Sequence, residues 1–136
     1  MSEELSNYEI RAESLRAGKE WEARRAQTLL DSFTAAALAS HLPTERLRVR
    51  GYGGRGTASS DITGWYVRND HSMGVGTDGK LYRLALPLGV MDRLRGVTLR
   101  PMAPPMVLGA GGRDGDSIDL ADALQRLLPE WTPPQV

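Results

Sequence analysis

Four arginines, Arg46, Arg48, Arg50 and Arg55, are interleaved with Tyr52 and the glycines of residues 51–56. A guanidinium is a planar fork matched to phosphate and carboxylate oxygens, and tyrosine with arginine stacks on unpaired bases. These residue types therefore allow an anionic partner, nucleic acid among them, as a binding chemistry. The competing readings are a solvated strand face leading into a hairpin loop, or arginines that pair with the acidic end of the same chain.

Other candidate chemistry is thinner. The run Gly109-Ala110-Gly111-Gly112-Arg113-Asp114-Gly115 has Asp114 in the place of the dinucleotide fingerprint's third glycine. It also lacks the Gly-Lys-Ser/Thr of a phosphate loop. Asp114, Asp116 and Asp119 are spaced unlike a calcium loop, since Ile118 and Asp119 fall where an oxygen ligand and glycine belong. Asn69-Asp70-His71-Ser72 contains the residue types of a nucleophilic triad, but neighbours at a turn tip point in different directions. Those residues are better read as a β-turn, and Asp61 as a strand-entry residue. The chain has no cysteine and only two histidines, His41 and His71. No metal, no cofactor and no catalytic constellation is expected, so the sequence reads as non-enzymatic.

A different chemistry, association, is written near the N-terminus. Leu5, Tyr8, Ala12 and Leu15 recur at alternating spacings of three and four, and so do Ala26, Leu29, Phe33 and Ala36. Between them the same register meets Lys19 and Glu22 beside Gly18, so the reading breaks or loosens the helix there. Residues 1–17 then form a helical extension, 18–131 a single domain, and 132–136 a frayed tail. One small sheet cannot cover the stripe of Leu5, Tyr8 and Leu15, which points to a self-association seam.

Net charge is zero over 136 residues, with 17 basic and 17 acidic side chains. Charge is nonetheless uneven: residues 1–40 carry a net −2, residues 41–113 a net +6 and residues 114–136 a net −4. No apolar run approaches the roughly 20 residues of a membrane-spanning helix, and the polar, acidic start is unlike a secretory signal. The expectation is a soluble cytoplasmic domain with no membrane partner.

The elements that must position these residues are legible in outline. Residues 19–40 are rich in helix formers, and Leu42-Pro43 ends the helix. Arg46 to Arg50 alternates arginine with aliphatic, the mark of a strand wet on one face. Trp65 and Val67 face Val75 and Met73 across a three-residue turn at 69–71. Asp78-Gly79 suits a two-residue type I′ hairpin that sets Val75 opposite Tyr82 and Met73 opposite Leu84. That register collects Trp65, Val67, Met73, Val75, Tyr82 and Leu84 on one face. Leu88, Met91 and Leu94 make a short helical turn. Leu120, Leu124, Leu127, Leu128 and Trp131 form a last apolar stripe, capped by Asp116 or Ser117.

The fold expected is α+β: a long N-terminal helix, an antiparallel β-meander of about 4–6 strands, and a closing C-terminal helix on the sheet. The leading functional expectation is a protein-binding or adaptor module that forms homodimers. Nucleic-acid association through Arg46–Arg55 is the alternative.

Overall fold

The computed structural model describes residues 2–109 and 117–136, and the side chains of Ser2 and Leu5 fall outside that description. Helix α1 runs from Ser2 to Ala39, 38 residues without interruption. At 1.5 Å per residue that is a rod of about 57 Å. The break expected near Gly18 is absent. Gly18 has nothing within 4 Å of its missing Cβ, so it sits in solvent and the flanking helix formers carry the helix through. Gly18→Ala should therefore stabilise the helix by roughly 1 kcal/mol, read as a raised mid-temperature of the helical circular dichroism signal.

Five strands form the main sheet: β1 (Glu45–Gly51), β2 (Thr57–Tyr66), β3 (Met73–Gly76), β4 (Leu81–Arg83) and β5 (Ala85–Leu86), in the order β4-β3-β2-β1-β5. The first four pair antiparallel, but β5 runs parallel to β1, so the sheet is mixed and not a pure meander. The cause is one continuous extended stretch, 81–86, that changes partner at Leu84. Its N–H donates to the Ser72 carbonyl at 2.8 Å, and its carbonyl accepts the Arg50 N–H at 2.7 Å. The sheet is curled, and both edges meet this stretch.

The β2–β3 hairpin has the register expected of its sequence: Trp65 pairs with Val75, and the Val67 N–H donates to the Met73 carbonyl at 3.0 Å. The β3–β4 hairpin does not. Val75 pairs with Leu81 and Met73 with Arg83, one residue away from the type I′ register. A type I′ turn needs φ > 0 at both central residues. Here Gly79 has φ 79°, while Asp78 is not among the residues of positive φ. The turn therefore spans three residues, and Asp78 instead accepts the Lys80 N–H at 2.9 Å and the Tyr82 hydroxyl at 2.6 Å. A one-residue slip moves side chains to the other face. Leu81 thus joins Trp65, Val67 and Val75, while Tyr82 and Leu84 turn away from them.

Both faces of the sheet are consequently covered. On one, Leu29, Leu30 and Phe33 of α1 meet Trp65, Val75 and Leu81 together with Leu120, Leu124 and Trp131. On the other, Leu47, Val49, Tyr82 and Leu84 close around Leu99. A bulge in β2 anchors that second layer. Buried Ser60 donates its hydroxyl to the Leu47 carbonyl at 2.7 Å, and the Asp61 carboxylate accepts the Leu99 N–H at 2.9 Å.

The chain then forms the short helix α2 (Val90–Arg95), a two-stranded ribbon of β6 (Val107–Leu108) and β7 (Ile118–Asp119), and helix α3 (Leu120–Leu127). Asp119, not Asp116 or Ser117, occupies the N-cap position of α3, because Ile118 and Asp119 are taken into the ribbon. Beyond α3, Trp131 turns back onto α1, with its indole N–H on Ser32 Oγ at 3.0 Å. The final residues follow α1, where Arg25 donates to the Val136 carbonyl at 3.2 Å.

Candidate functional site

The arginine–aliphatic alternation of β1 places Arg46, Arg48 and Arg50 in solvent and buries Leu47 and Val49. Neutral oxygens orient the guanidiniums. Arg46 donates to the Ser60 carbonyl at 3.2 Å, Arg48 to Ser59 Oγ at 3.2 Å and Thr57 Oγ1 at 2.8 Å, and Arg50 to the Asp70 carbonyl. The one ion pair among the described residues is Arg68 Nε to Asp70 Oδ1, 3.7 Å. Hydroxyl and carbonyl acceptors fix a guanidinium without discharging it, while the nearby Asp70 carboxylate offsets part of the charge of Arg50.

Two features that sequence reasoning missed complete the face. His71 is exposed at the turn, as expected of a solvated turn residue, but it also adopts φ 60° and lies flat on Tyr66, with ring centroids 3.8 Å apart and planes 7° from parallel. The Tyr66 hydroxyl accepts the Arg48 N–H at 2.9 Å beside the β-bulge. Arg48, Arg50, Tyr66 and His71 thereby line one cleft of about 300 Å³ together with Asp70. Tyr52, 54 % exposed in a 3₁₀ turn at Tyr52–Gly54, borders a neighbouring recess with Arg50 and the loop glycines. Arg46 and Arg55 line neither of these two recesses.

A larger groove of about 470 Å³ opens beside the β2–β3 turn. Its lining includes Trp65, Val67 and Leu127 together with His71, Arg68 and Arg126. The α3 stripe already directs Arg126 away from the core. No sequence signal tells that it faces the β2–β3 turn, because that proximity is set by tertiary packing alone.

Asp70 stiffens this turn by accepting the Ser72 N–H at 3.0 Å and the Ser72 hydroxyl at 2.6 Å. Partial burial works against ionisation, but the Ser72 hydrogen bonds and the nearby Arg68 and Arg50 charges outweigh it and hold the carboxyl below its usual range. A depressed carboxyl stabilises the fold above its unfolded-state pKa and loses that contribution as pH falls through the folded value. Asp70→Asn should thus lower stability near neutrality, where the carboxylate's contribution is fully present, and flatten the acid limb of a stability–pH curve below about pH 4, so that variant and parent converge there.

The association residues lie elsewhere. Tyr8 is 75 % and Leu15 68 % exposed on the projecting half of α1. They continue the stripe that Ala26, Leu30 and Phe33 bury against the sheet. The side chain of Leu5 lies outside the described residues, as do positions 110–116 of the glycine-rich run with Asp114 and Asp116. Among the described residues no cluster of three or more His, Asp or Glu side chains could hold a metal ion. No described helix is long and apolar enough to cross a membrane.

Fold and sites together define an α+β domain with a projecting helix and an arginine-bearing strand face. No family model matches the chain, and neither curated proteins nor solved structures give a match.

Proposed function

We propose that the chain is a non-enzymatic protein-interaction module of the cytoplasm whose first partner is a second copy of itself. The observation that carries this reading is the projecting half of α1, where Tyr8, Ile10 and Leu15 are each more than half exposed. The packed half of α1 already nucleates this half as helix, so a partner covering its apolar stripe adds burial without a further nucleation cost. A further apolar patch on α2, with Val90, Met91 and Leu94 at 64 %, 52 % and 76 % exposure, supports a separate protein contact.

Sedimentation equilibrium on the full chain tests the reading. The expected result is a concentration-dependent dimer that Tyr8→Glu with Leu15→Glu returns to monomer while the β-sheet spectrum stays intact. A parent chain that remains monomeric at every concentration would overturn it.

The arginine face favours a second reading, an anionic partner such as single-stranded nucleic acid. The supporting observation is that neutral acceptors hold Arg46, Arg48 and Arg50, and that Arg48 and Arg50 sit beside a Tyr66–His71 stack. Oligonucleotide affinity should then fall steeply with salt, and Arg48→Gln with Arg50→Gln should reduce the log–log slope by about one to two. No binding at low salt would remove this reading.

A further inference from the structure

We infer that two copies pair through the projecting halves of α1 in antiparallel orientation, in the register that sets Ala12 against Leu15 of the partner subunit. This rests on the self-association reading and adds orientation, register and charge code to it.

Because α1 passes Gly18 without a break, the three–four spacing continues unbroken from Tyr8 and Leu15 to Ala26 and Phe33. Tyr8, Ala12 and Leu15 are therefore seam positions, and the residues flanking the seam are Glu4 and Arg11 on one side and Glu9 and Arg16 on the other. In a parallel pair, a flanking residue meets the one five positions later on the partner. Glu4 would face a partner's Glu9 and Arg11 a partner's Arg16, so every such contact joins like charges. In an antiparallel pair, each flank meets the same flank of the partner, and its register decides the charges.

With Ala12 against a partner's Leu15, Glu9 approaches a partner's Arg16, and two-fold symmetry repeats the pair. Sliding one heptad in one direction opposes Glu9 to Glu9 and Arg11 to Arg11. Sliding the other way opposes Arg16 to Arg16. Only the central register is complementary. The same register overlaps the exposed stretches from end to end. Burial by the domain itself begins around Glu22 and is complete at Ala26, so each partner's first turn stops at the other's domain edge. Tyr8 then lies beside a partner's Lys19, a cation over an aromatic face that uses the basic interruption of the stripe. Two independent features, flank charge and the length of helix left bare, select one arrangement.

The test uses the full chain in low salt. Glu9→Lys should weaken dimerisation about threefold or more, because two pairs per dimer become repulsive, and Arg16→Glu should do the same. The double variant should return to the parental association constant. In a parallel dimer Glu9→Lys would relieve a Glu4 clash and tighten association, which would overturn the inference. Orientation is read directly from a nitroxide at Glu3→Cys, the only thiol in a chain without cysteine. Antiparallel pairing in this register separates the two labels by about 32 Å along the axis. Parallel pairing brings them to roughly the 8–10 Å interhelix spacing. A dimer with the short distance sinks the orientation alone. A monomer at all concentrations sinks the self-association reading and this inference with it.

Discussion

Gly64→Ala should destabilise the domain by about 3 kcal/mol or more, the upper range for overpacking a close-packed interior. An ideal Cβ on Gly64 would lie 1.9 Å from the Val75 carbonyl oxygen and 2.7 Å from the Gly76 Cα, both backbone atoms of the neighbouring strand. No rotamer change relieves such a contact. Strands β2 and β3 would have to separate at the centre of the sheet, and Trp65 would lose its cross-strand partner Val75. Chemical denaturation measures the loss, with Gly18→Ala as the control in which a methyl group meets open solvent. Equal stability of the Gly64 variant and the parent would contradict this β2–β3 approach.

Phe33→Ala should cost about 3–5 kcal/mol, as for a fully buried aromatic truncated to a methyl group. Phe33 has no exposed surface, and its ring meets Trp65 and Trp131 edge-on, at centroid distances of 5.5 and 5.7 Å. It is the keystone between helix, sheet and C-terminal segment, so its removal opens a cavity lined by all three. Trp131→Phe is the graded companion. It keeps an aromatic ring but deletes the indole N–H on Ser32 Oγ and the volume of the fused second ring, and should cost about 1–2 kcal/mol. Thermal or denaturant melts with tryptophan fluorescence rank the two variants, and a Phe33 cost below that of Trp131→Phe would refute the assignment.

Much of this core was legible in the residue order. The α+β class, the wet and dry faces of β1, the Trp65–Val75 register and the stripe of α3 follow from period-two and period-3.6 patterning, which is local physics. What was not legible turned on one dihedral or on distant partners. Asp78-Gly79 suggests a type I′ turn, yet the Asp78 carboxylate is occupied by the Lys80 N–H and Tyr82 hydroxyl, and the longer turn sends Tyr82 and Leu84 to the other layer. The parallel β1–β5 pair has no signature in six residues of continuous extended chain. The arginine face was visible as an alternation. Its neighbours Tyr66 and His71 were not, because their stacking depends on a left-handed backbone at His71 that no rule assigns to histidine in advance.

The contact between Ser32 and Trp131 spans 99 residues and has a consequence in time. A ribosome adds roughly 5–20 residues per second, so the apolar stripe of α1 emerges on the order of ten seconds before Trp131, its last covering residue. During that interval the nascent helix presents Leu29, Leu30 and Phe33 uncovered, in line with Tyr8 and Leu15. Any apolar surface nearby, the chain's own later segments included, competes for the stripe in that interval, and the competition ends once Leu120, Leu124 and Trp131 dock.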